Sequence, residues 1–512
     1  MDIYLILVIA LLILAVGDLV VGVSNDAVNF LTSAIGSKVA SQRTILIIAA
    51  AGVFAGAAFS SGMMEVARKG IFNPSFFSYA DVMVVFMAVM ITDIILLDAF
   101  NSFGMPTSTT VSIVFELLGA SVMVGWLMLR EDNPQNLNLL DVINTAKASQ
   151  IIAGIFLSIG VAFSVGALSQ WISRLWFTFN LKHGIKKYGA LFGGICMTII
   201  IYFLLIKGIK GADFGKSVNS FFKENTLYIV GFSLLASTVI LALLQRLFSV
   251  NPLKIVVLTG TFSLAMAFAG NDLVNFIGVP ITGYQSYFLW QDSGLAADAF
   301  SMIALAEAVQ TPKVLLFLAG AIMVLTLWFS AKARKVTDTS VKLGSQGAVD
   351  ERFKPNAVSR GIISVATAFS NFFTHVVPNR TLARIDSRFR IEIIEEGEKP
   401  AFDLVRASVN LVIASILIAF ASSLKLPLST TYVSFMVAMG ASLADRAWGA
   451  GSAPYRVAGV VNVIGGWFLT AFAAFSAAAI IALAIRFGGS YVALALFVLA
   501  VFALLRSNRR KK

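Results

Sequence analysis

The chain carries thirteen apolar stretches, and nothing else in it limits the fold as severely. They fall near residues 3–24, 43–60, 81–100, 111–129, 149–172, 188–207, 227–249, 253–270, 313–330, 404–424, 431–444, 456–485 and 488–506. A bilayer span needs about 20 mostly apolar residues. Some stretches are short or interrupted, so the expectation is an all-α polytopic membrane protein with about ten to twelve transmembrane helices. Composition agrees. Hydrophobic residues make up 58% of the 512 and charged residues 13%, against roughly 45–50% and about 25% in soluble domains. A soluble enzyme, a disordered chain and a disulfide scaffold are excluded. The first stretch opens Met-Asp-Ile-Tyr, with no basic segment before it, so it reads as a retained helix and not a cleaved signal.

Cysteine and histidine are scarce. Cys196 stands alone, and the two histidines are His183 and His375. Zinc sites built on paired cysteines are excluded by count. The net charge of +12 includes a basic tail from Arg506 to Lys512. Lys and Arg collect in cytoplasmic loops of membrane proteins, so this charge needs no nucleic acid partner.

One region breaks the apolar pattern. Residues 331–403 are polar, and from 331 to 406 there are 13 Lys and Arg against 9 Asp and Glu. This reads as a cytoplasmic loop insert. Within it, 357–374 is apolar enough for an amphipathic helix on the membrane or the protein body, or for a plain linker helix.

Two short motifs each occur twice, in the same order. Asn25-Asp26-Ala-Val-Asn29 returns as Asn271-Asp272-Leu-Val-Asn275. Pro106-Thr-Ser108-Thr109-Thr110 returns as Pro427-Leu-Ser429-Thr430-Thr431. The separation from Asp26 to Ser108 is 82 residues, and from Asp272 to Ser429 it is 157. The excess matches the length of the polar insert. Glu65 and Glu307 form a weaker third pair, 39 and 35 residues after the two aspartates. The first repeat opens on Asp2. The second opens between Arg246 and Lys254, which places the two starts on opposite sides of the membrane. The expected organisation is therefore two inverted repeats with broken or re-entrant helices. Residues 1–207 form the first half with its connecting helices. Residues 208–330 begin the second half, 331–403 are the insert, and 404–512 complete the second half.

In Pro-x-Ser-Thr-Thr, proline stops a preceding helix and serine caps the next. The first turn of that helix has free backbone N–H groups. With three hydroxyls added, each copy is a cluster of neutral donors at a positive dipole end, suited to an oxyanion. One copy alone would read as an ordinary cap; two in matching positions favour the anion. In Asn-Asp-x-x-Asn, a carboxylate set among apolar spans is expensive and points to function. Its oxygens and those of the amides suit a small cation, and an aspartate at a helix start favours a break between half-helices. Two aspartates and a phosphate dianion cannot share a dehydrated site without positive charge. Arg and Lys are absent from all four motifs, so cations or protons must supply it. Asp18, Asp93, Asp98, Asn101 and Glu116 also lie in apolar stretches, where each could be a relay, a ligand or a partner for a helix end.

At these motifs the sequence resembles the PiT family of inorganic phosphate transporters, over nearly the whole chain. Glu65-Val-Ala-Arg68-Lys69-Gly70-Ile71 is similar to a further segment of that family. The resemblance implies phosphate symport with sodium or protons by alternating access. It implies phosphate ligands at Asn25, Ser108, Thr109, Thr110, Asn271, Ser429, Thr430 and Thr431. It implies sodium ligands at Asp26, Asn29, Asp272 and Asn275, with Asn101, Glu65 and Glu307 as additional candidates. Val111 and Tyr432 stand where the family often has histidine, which favours sodium over protons. The first motif also inserts Val23-Ser24 where the family usually has one alanine.

The expectation is a sodium-coupled phosphate symporter of the cell membrane, with no cofactor, no metal beyond sodium and no catalytic residues. Its partners are phosphate, sodium and the lipid bilayer, and a homodimer is compatible with the sequence. Alternatives are a proton-coupled phosphate or metal–phosphate symporter, a sulfate permease of the same fold, or a phosphate-binding membrane sensor. The spans contain no Gly-x-Ser-x-Gly, His–Asp pair or metal triad that would argue for an enzyme. The basic tail points to a cytoplasmic C-terminus, whereas the family resemblance places both termini outside.

Overall fold

A computed structural model describes residues 2–58, 60–103, 107–131, 136–179, 181–207, 221, 224–307, 311–330, 378–389, 400–446 and 453–509, with isolated positions between 333 and 368. Pro106 and His375 lie outside the described residues, as does most of the helix expected over 357–374.

The described residues are helical, apart from turns and two isolated bridges, Phe72–Ile143 and Ser78–Ser301. In the first half the helices are α1 (Ile3–Asp26), α2 (Val28–Gly36), α3 (Gln42–Ala58), α4 (Glu65–Lys69), α5 (Tyr79–Phe103), α6 (Thr109–Glu131), α7 (Leu139–Val142), α8 (Thr145–Trp176) and α9 (Leu181–Ile201). The second half has α10 (Thr226–Phe248), α11 (Pro252–Ser293), α12 (Lys313–Phe329), α13 (Asn379–Arg388), α14 (Leu404–Ser423), α15 (Thr430–Ala444) and α16 (Ala453–Arg509). Among the described residues nine helical stretches are long and apolar enough to cross a membrane, and α3, α12 and α15 are shorter apolar helices. The chain is a multi-pass membrane protein.

Local chemistry sets the helix ends. Asp2 caps α1 by accepting from the Tyr4 N–H. Asn251 caps α11, Pro252 takes its first position, and Gly294 ends it with φ +66°. α16 is bent at Gly489, whose φ of +66° and ψ of −163° are not helical. The Asn-Asp motifs do not break their helices as expected. Ala27 between α1 and α2 keeps helical angles and donates to Val23 O at 3.0 Å. In the second half the motif lies inside the 42-residue α11. The amide side chains bond to other side chains and to the hairpin tips, so the backbone ladder is not interrupted.

The repeats build two helical hairpins, α5–α6 and α14–α15. Their tips meet: Thr110 Oγ1 on the first tip donates to Leu428 O on the second at 3.2 Å. Their open ends carry separate ion clusters. Arg174 of α8 reaches Asp403 Oδ2 and Asp445 Oδ1, each at 2.7 Å, beside the two ends of α14–α15. Arg486 of α16 reaches Asp81 at 2.8 Å and Glu131 at 2.5 Å, at the two ends of α5–α6. Tips that touch while their open ends stay apart are what an inverted repeat produces.

The outer helices are exchanged between halves. A Cβ on Gly119 of α6 would lie 2.1 Å from Phe475 O of α16, and one on Gly440 of α15 would lie 2.1 Å from Phe163 O of α8. Gly119 follows Thr109 by ten residues, and Gly440 follows Thr430 by ten. Small residues at these crossings let the backbones close, as membrane helix packing requires.

The Glu65–Glu307 pairing does not follow this symmetry. Glu65 comes after α3 but Glu307 comes before α12, and the two segments touch. Lys69 Nζ donates to Ala306 O at 2.7 Å, and Arg68 donates to Glu307 O at 3.4 Å. The two glutamates therefore occupy different places relative to their matched apolar helices.

Candidate functional site

The hairpin tips bring the four motifs together in the interior. Asp26 and Asp272 have no exposed surface, and Asn29 and Asn275 are buried beside them. Asp26 accepts from Thr109 Oγ1 at 2.8 Å and from Thr431 Oγ1 at 3.1 Å. Asp272 accepts from Thr110 Oγ1 at 3.1 Å and from Thr430 Oγ1. Each aspartate thus takes one hydroxyl from its own repeat and one from the other. The outer asparagines complete the exchange. Asn29 Nδ2 donates to Thr431 Oγ1 at 3.1 Å and Asn275 Nδ2 to Thr110 Oγ1 at 2.9 Å.

The serines cap their helices. Ser108 Oγ accepts from the Val111 N–H and Ser429 Oγ from the Tyr432 N–H, both at 3.1 Å. This aims the starts of α6 and α15 at the paired aspartates. Neutral donors and two positive helix ends then surround the paired aspartates.

The inner asparagines, expected as phosphate ligands, have their amides engaged with the tips. Asn25 Oδ1 accepts from the Thr107 N–H at 3.2 Å, and its Nδ2 donates to Asn101 Oδ1 at 2.5 Å. Asn271 Nδ2 donates to Leu428 O at 2.7 Å, and its Oδ1 accepts from Ser422 at 3.1 Å. Asn101 and Ser422 are thus matched residues, each holding one inner asparagine. Glu65 lies in the loop system instead. It pairs with Lys425 at 2.6 Å and Lys69 at 3.4 Å, and the hydrogen bond from Lys425 holds its carboxyl below the usual carboxylate range. Tyr432, at the position where the resemblance suggests histidine, is stacked on Trp467 at 3.8 Å between ring centres.

A cavity of about 40 Å³ adjoins the site, lined by Asn29, Thr431, Ser434, Asn410, Arg406 and Phe402 among others. It has room for water molecules, which need about 10–15 Å³ each. It extends from Thr431 to the start of α14, where the insert rejoins the membrane domain. Sequence reading missed Ser434, which donates to Asn29 Oδ1 at 3.0 Å, and the cavity residues Arg406 and Asn410. Nothing in their local sequence marks them, because only the approach of α2 to α14 and α15 gives them a role.

No Lys or Arg bonds to Asp26 or Asp272 among the described residues. Two buried carboxylates facing each other across hydroxyls require positive charge to stay ionised, and more of it if an anion joins them.

A sequence profile described as the phosphate transporter family matches residues 22–340. A Pyrococcus furiosus chain provisionally named a phosphate permease is 26% identical over 267 residues, covering 50% of this chain and 60% of that one. A Thermococcus kodakarensis chain of the same provisional name is 26% identical over 249 residues, covering 42% and 58%. The chain thus spans about 60% of the length of these relatives. A solved sodium-dependent phosphate transporter superposes with a TM-score of 0.64 at 17% identity, over 94% of this chain and 99% of that one, and so shares its fold. That family and that neighbour are transporters, not enzymes. The chain belongs to the phosphate transporter family.

Proposed function

We propose that the chain carries inorganic phosphate across the membrane together with a cation, most simply sodium, by alternating access. One observation carries the reading: Asp26 and Asp272 each accept hydroxyls from both hairpin tips. A cation bound between these carboxylates frees the threonine hydroxyls to turn towards an oxyanion. Cation and anion then stabilise each other in a dry site, where Coulomb attraction is far stronger than in water. Because each aspartate bonds to both repeats, filling the site changes the contact between the halves, which is what alternating access needs. Phosphate ligands in this reading are Ser108, Thr109, Thr110, Ser429, Thr430 and Thr431, with Asn25 and Asn271 shaping the tips. Sodium ligands are Asp26, Asp272, Asn29 and Asn275. The positive balance of residues 331–406 supports a cytoplasmic insert.

The test is uptake of radiolabelled phosphate into proteoliposomes under an inward sodium gradient, an inward proton gradient, or neither, with sulfate as competitor. Sodium-driven uptake that ignores sulfate is the expected result. Uptake of sulfate in place of phosphate would correct the substrate, and binding without flux would make the chain a sensor.

A further inference from the structure

The two halves match at the site but not one layer away from it. Asp18 on α1, Asp93 on α5 and Glu116 on α6 have no exposed surface. The carboxyl of Asp93 lies within hydrogen-bonding reach of both Asp18 and Glu116. Ser112 Oγ donates to Glu116 Oε1 at 2.7 Å. Both oxygens of Asp18, both of Asp93 and Oε2 of Glu116 have no donor of their own. Two neighbouring carboxyls can bond to each other only through a shared proton.

The second half supplies an internal control. The motif registers pair Asp26 with Asp272 and Ser108 with Ser429. In those registers Asp18, Asp93, Ser112 and Glu116 correspond to Leu264, Ala414, Val433 and Val437. All four counterparts are buried in the hydrophobic core. The fold therefore packs well with apolar side chains at these places. The acids answer a different need, since an unneutralised carboxylate inside the membrane is costly.

The surroundings provide no fixed positive charge. α1 also carries Asp26, and α11 carries Asp272. α16, which packs on α1, α5 and α6, carries Arg456, Arg486, Arg506 and Arg509. Arg486 is engaged by Asp81 and Glu131 at the far end of the hairpin. None of the three acids has an ion pair among the described residues. Carboxyl oxygens buried without a donor are matched by the hydrogen ion, which neutralises one acid and lets it donate to the next.

We infer that Asp18, Asp93 and Glu116 form a buried proton site that binds and releases hydrogen ions as the phosphate site fills and empties. Each ion taken from solvent converts one carboxylate to a neutral acid and is returned to solvent on release. The inference rests on the phosphate-carrying reading. It adds to that reading a second coupling site, present in only one half.

The test compares the full-length protein with two variants. One is Asp93→Asn with Glu116→Gln, which keeps shape. The other installs the second half's residues: Asp18→Leu, Asp93→Ala, Ser112→Val and Glu116→Val. Protons released or bound on adding inorganic phosphate and sodium are followed in weakly buffered detergent with an indicator dye. The infrared carbonyl band of protonated carboxylic acids is followed in the same samples. The wild type should show a proton signal and a carboxyl band that responds to ligand, and both variants should lose them. Variants with the wild-type proton signal would overturn the inference. A carboxyl band that responds to sodium with no proton movement would also overturn it, and would make the triad a sodium site. Proteoliposome flux separates the two levels. No phosphate uptake by the wild type defeats the transport reading. Uptake whose pH dependence survives the four-residue replacement defeats the proton site alone.

Discussion

The hydroxyl of Thr431 donates to the carboxylate of Asp26 at 3.1 Å, although 405 residues separate them in the chain. Thr110 repeats the relationship with Asp272, in the opposite direction between the halves. A cation or anion bound here is therefore felt by both repeats at once. Hydrogen bonds to a charged group contribute about 1.5–3 kcal/mol, so the loss of either carboxylate should be large.

Asp26→Asn and Asp272→Asn are expected to keep the fold and lose cation-dependent uptake. The loss per site should be roughly ten- to a hundredfold in apparent cation affinity, since about 1.4 kcal/mol is tenfold. Sodium titration of phosphate uptake in proteoliposomes checks this. Normal sodium dependence in both variants would remove the aspartates from the coupling site.

Thr109→Val and Thr430→Val delete one hydroxyl each and keep the side-chain shape. A hydrogen bond to a charged group contributes about 1.5–3 kcal/mol, so each change should weaken phosphate affinity by roughly ten- to a hundredfold. Equilibrium binding of labelled phosphate at saturating sodium reads the effect directly. Because Thr109 and Thr430 occupy matched positions, the two losses should be similar.

Gly119 and Gly440 sit where a neighbouring backbone carbonyl leaves no room for a side chain. Gly440→Ala is expected to lower thermal stability in detergent by about 1–3 kcal/mol, the usual range for overpacking. Gly231→Ala on α10 meets nothing within 4 Å and is the matched control. It should be neutral or slightly stabilising, because alanine restricts the unfolded chain. Equal melting temperatures for the two variants would contradict the close crossing of α8 and α15.

Arg174 and Arg486 brace the open ends of opposite hairpins, but in different surroundings. The Arg174 side chain is fully buried, whereas that of Arg486 is 26% exposed. Arg174→Ala leaves buried Asp445 with Arg406 at 2.8 Å as its remaining ion-pair partner and takes Arg174 from Asp403, and should destabilise by about 3 kcal/mol, the low end for a broken buried pair. Arg486→Ala lets water reach Asp81 and Glu131 and should cost about 1 kcal/mol, near the value for exposed pairs. Thermal unfolding of the two variants, with and without added salt, measures the contrast.

Much of this was legible in the sequence, because the signals are local. A run of apolar residues long enough to cross a bilayer marks a span wherever it falls, and all thirteen stretches fall on helices in the structure. Asn25-Asp26 and Ser108-Thr109-Thr110 announced the repeat by recurring in order, and the insert accounted for the unequal spacing. The same locality limited the reading. Glu65 and Glu307 have similar spacings from their aspartates but sit on different sides of an apolar helix. Asn25 and Asn271 carry ligand chemistry, yet their amides are engaged by backbone groups at the tips.

The sequence by itself determined which segments are apolar enough to cross a membrane, that the motifs are duplicated, and which residue types meet at the centre. These depend on hydrophobic length and on residue identity, which every position carries with it. Only the tertiary structure decided the partners. Thr110 bonds to Asp272 and Thr431 to Asp26, α6 packs on α16 and α15 on α8, and Asp18, Asp93 and Glu116 converge while Leu264, Ala414 and Val437 take the matched places. Such pairings join residues up to hundreds of positions apart. They arise from how the two halves interlock, and no local propensity or spacing encodes that.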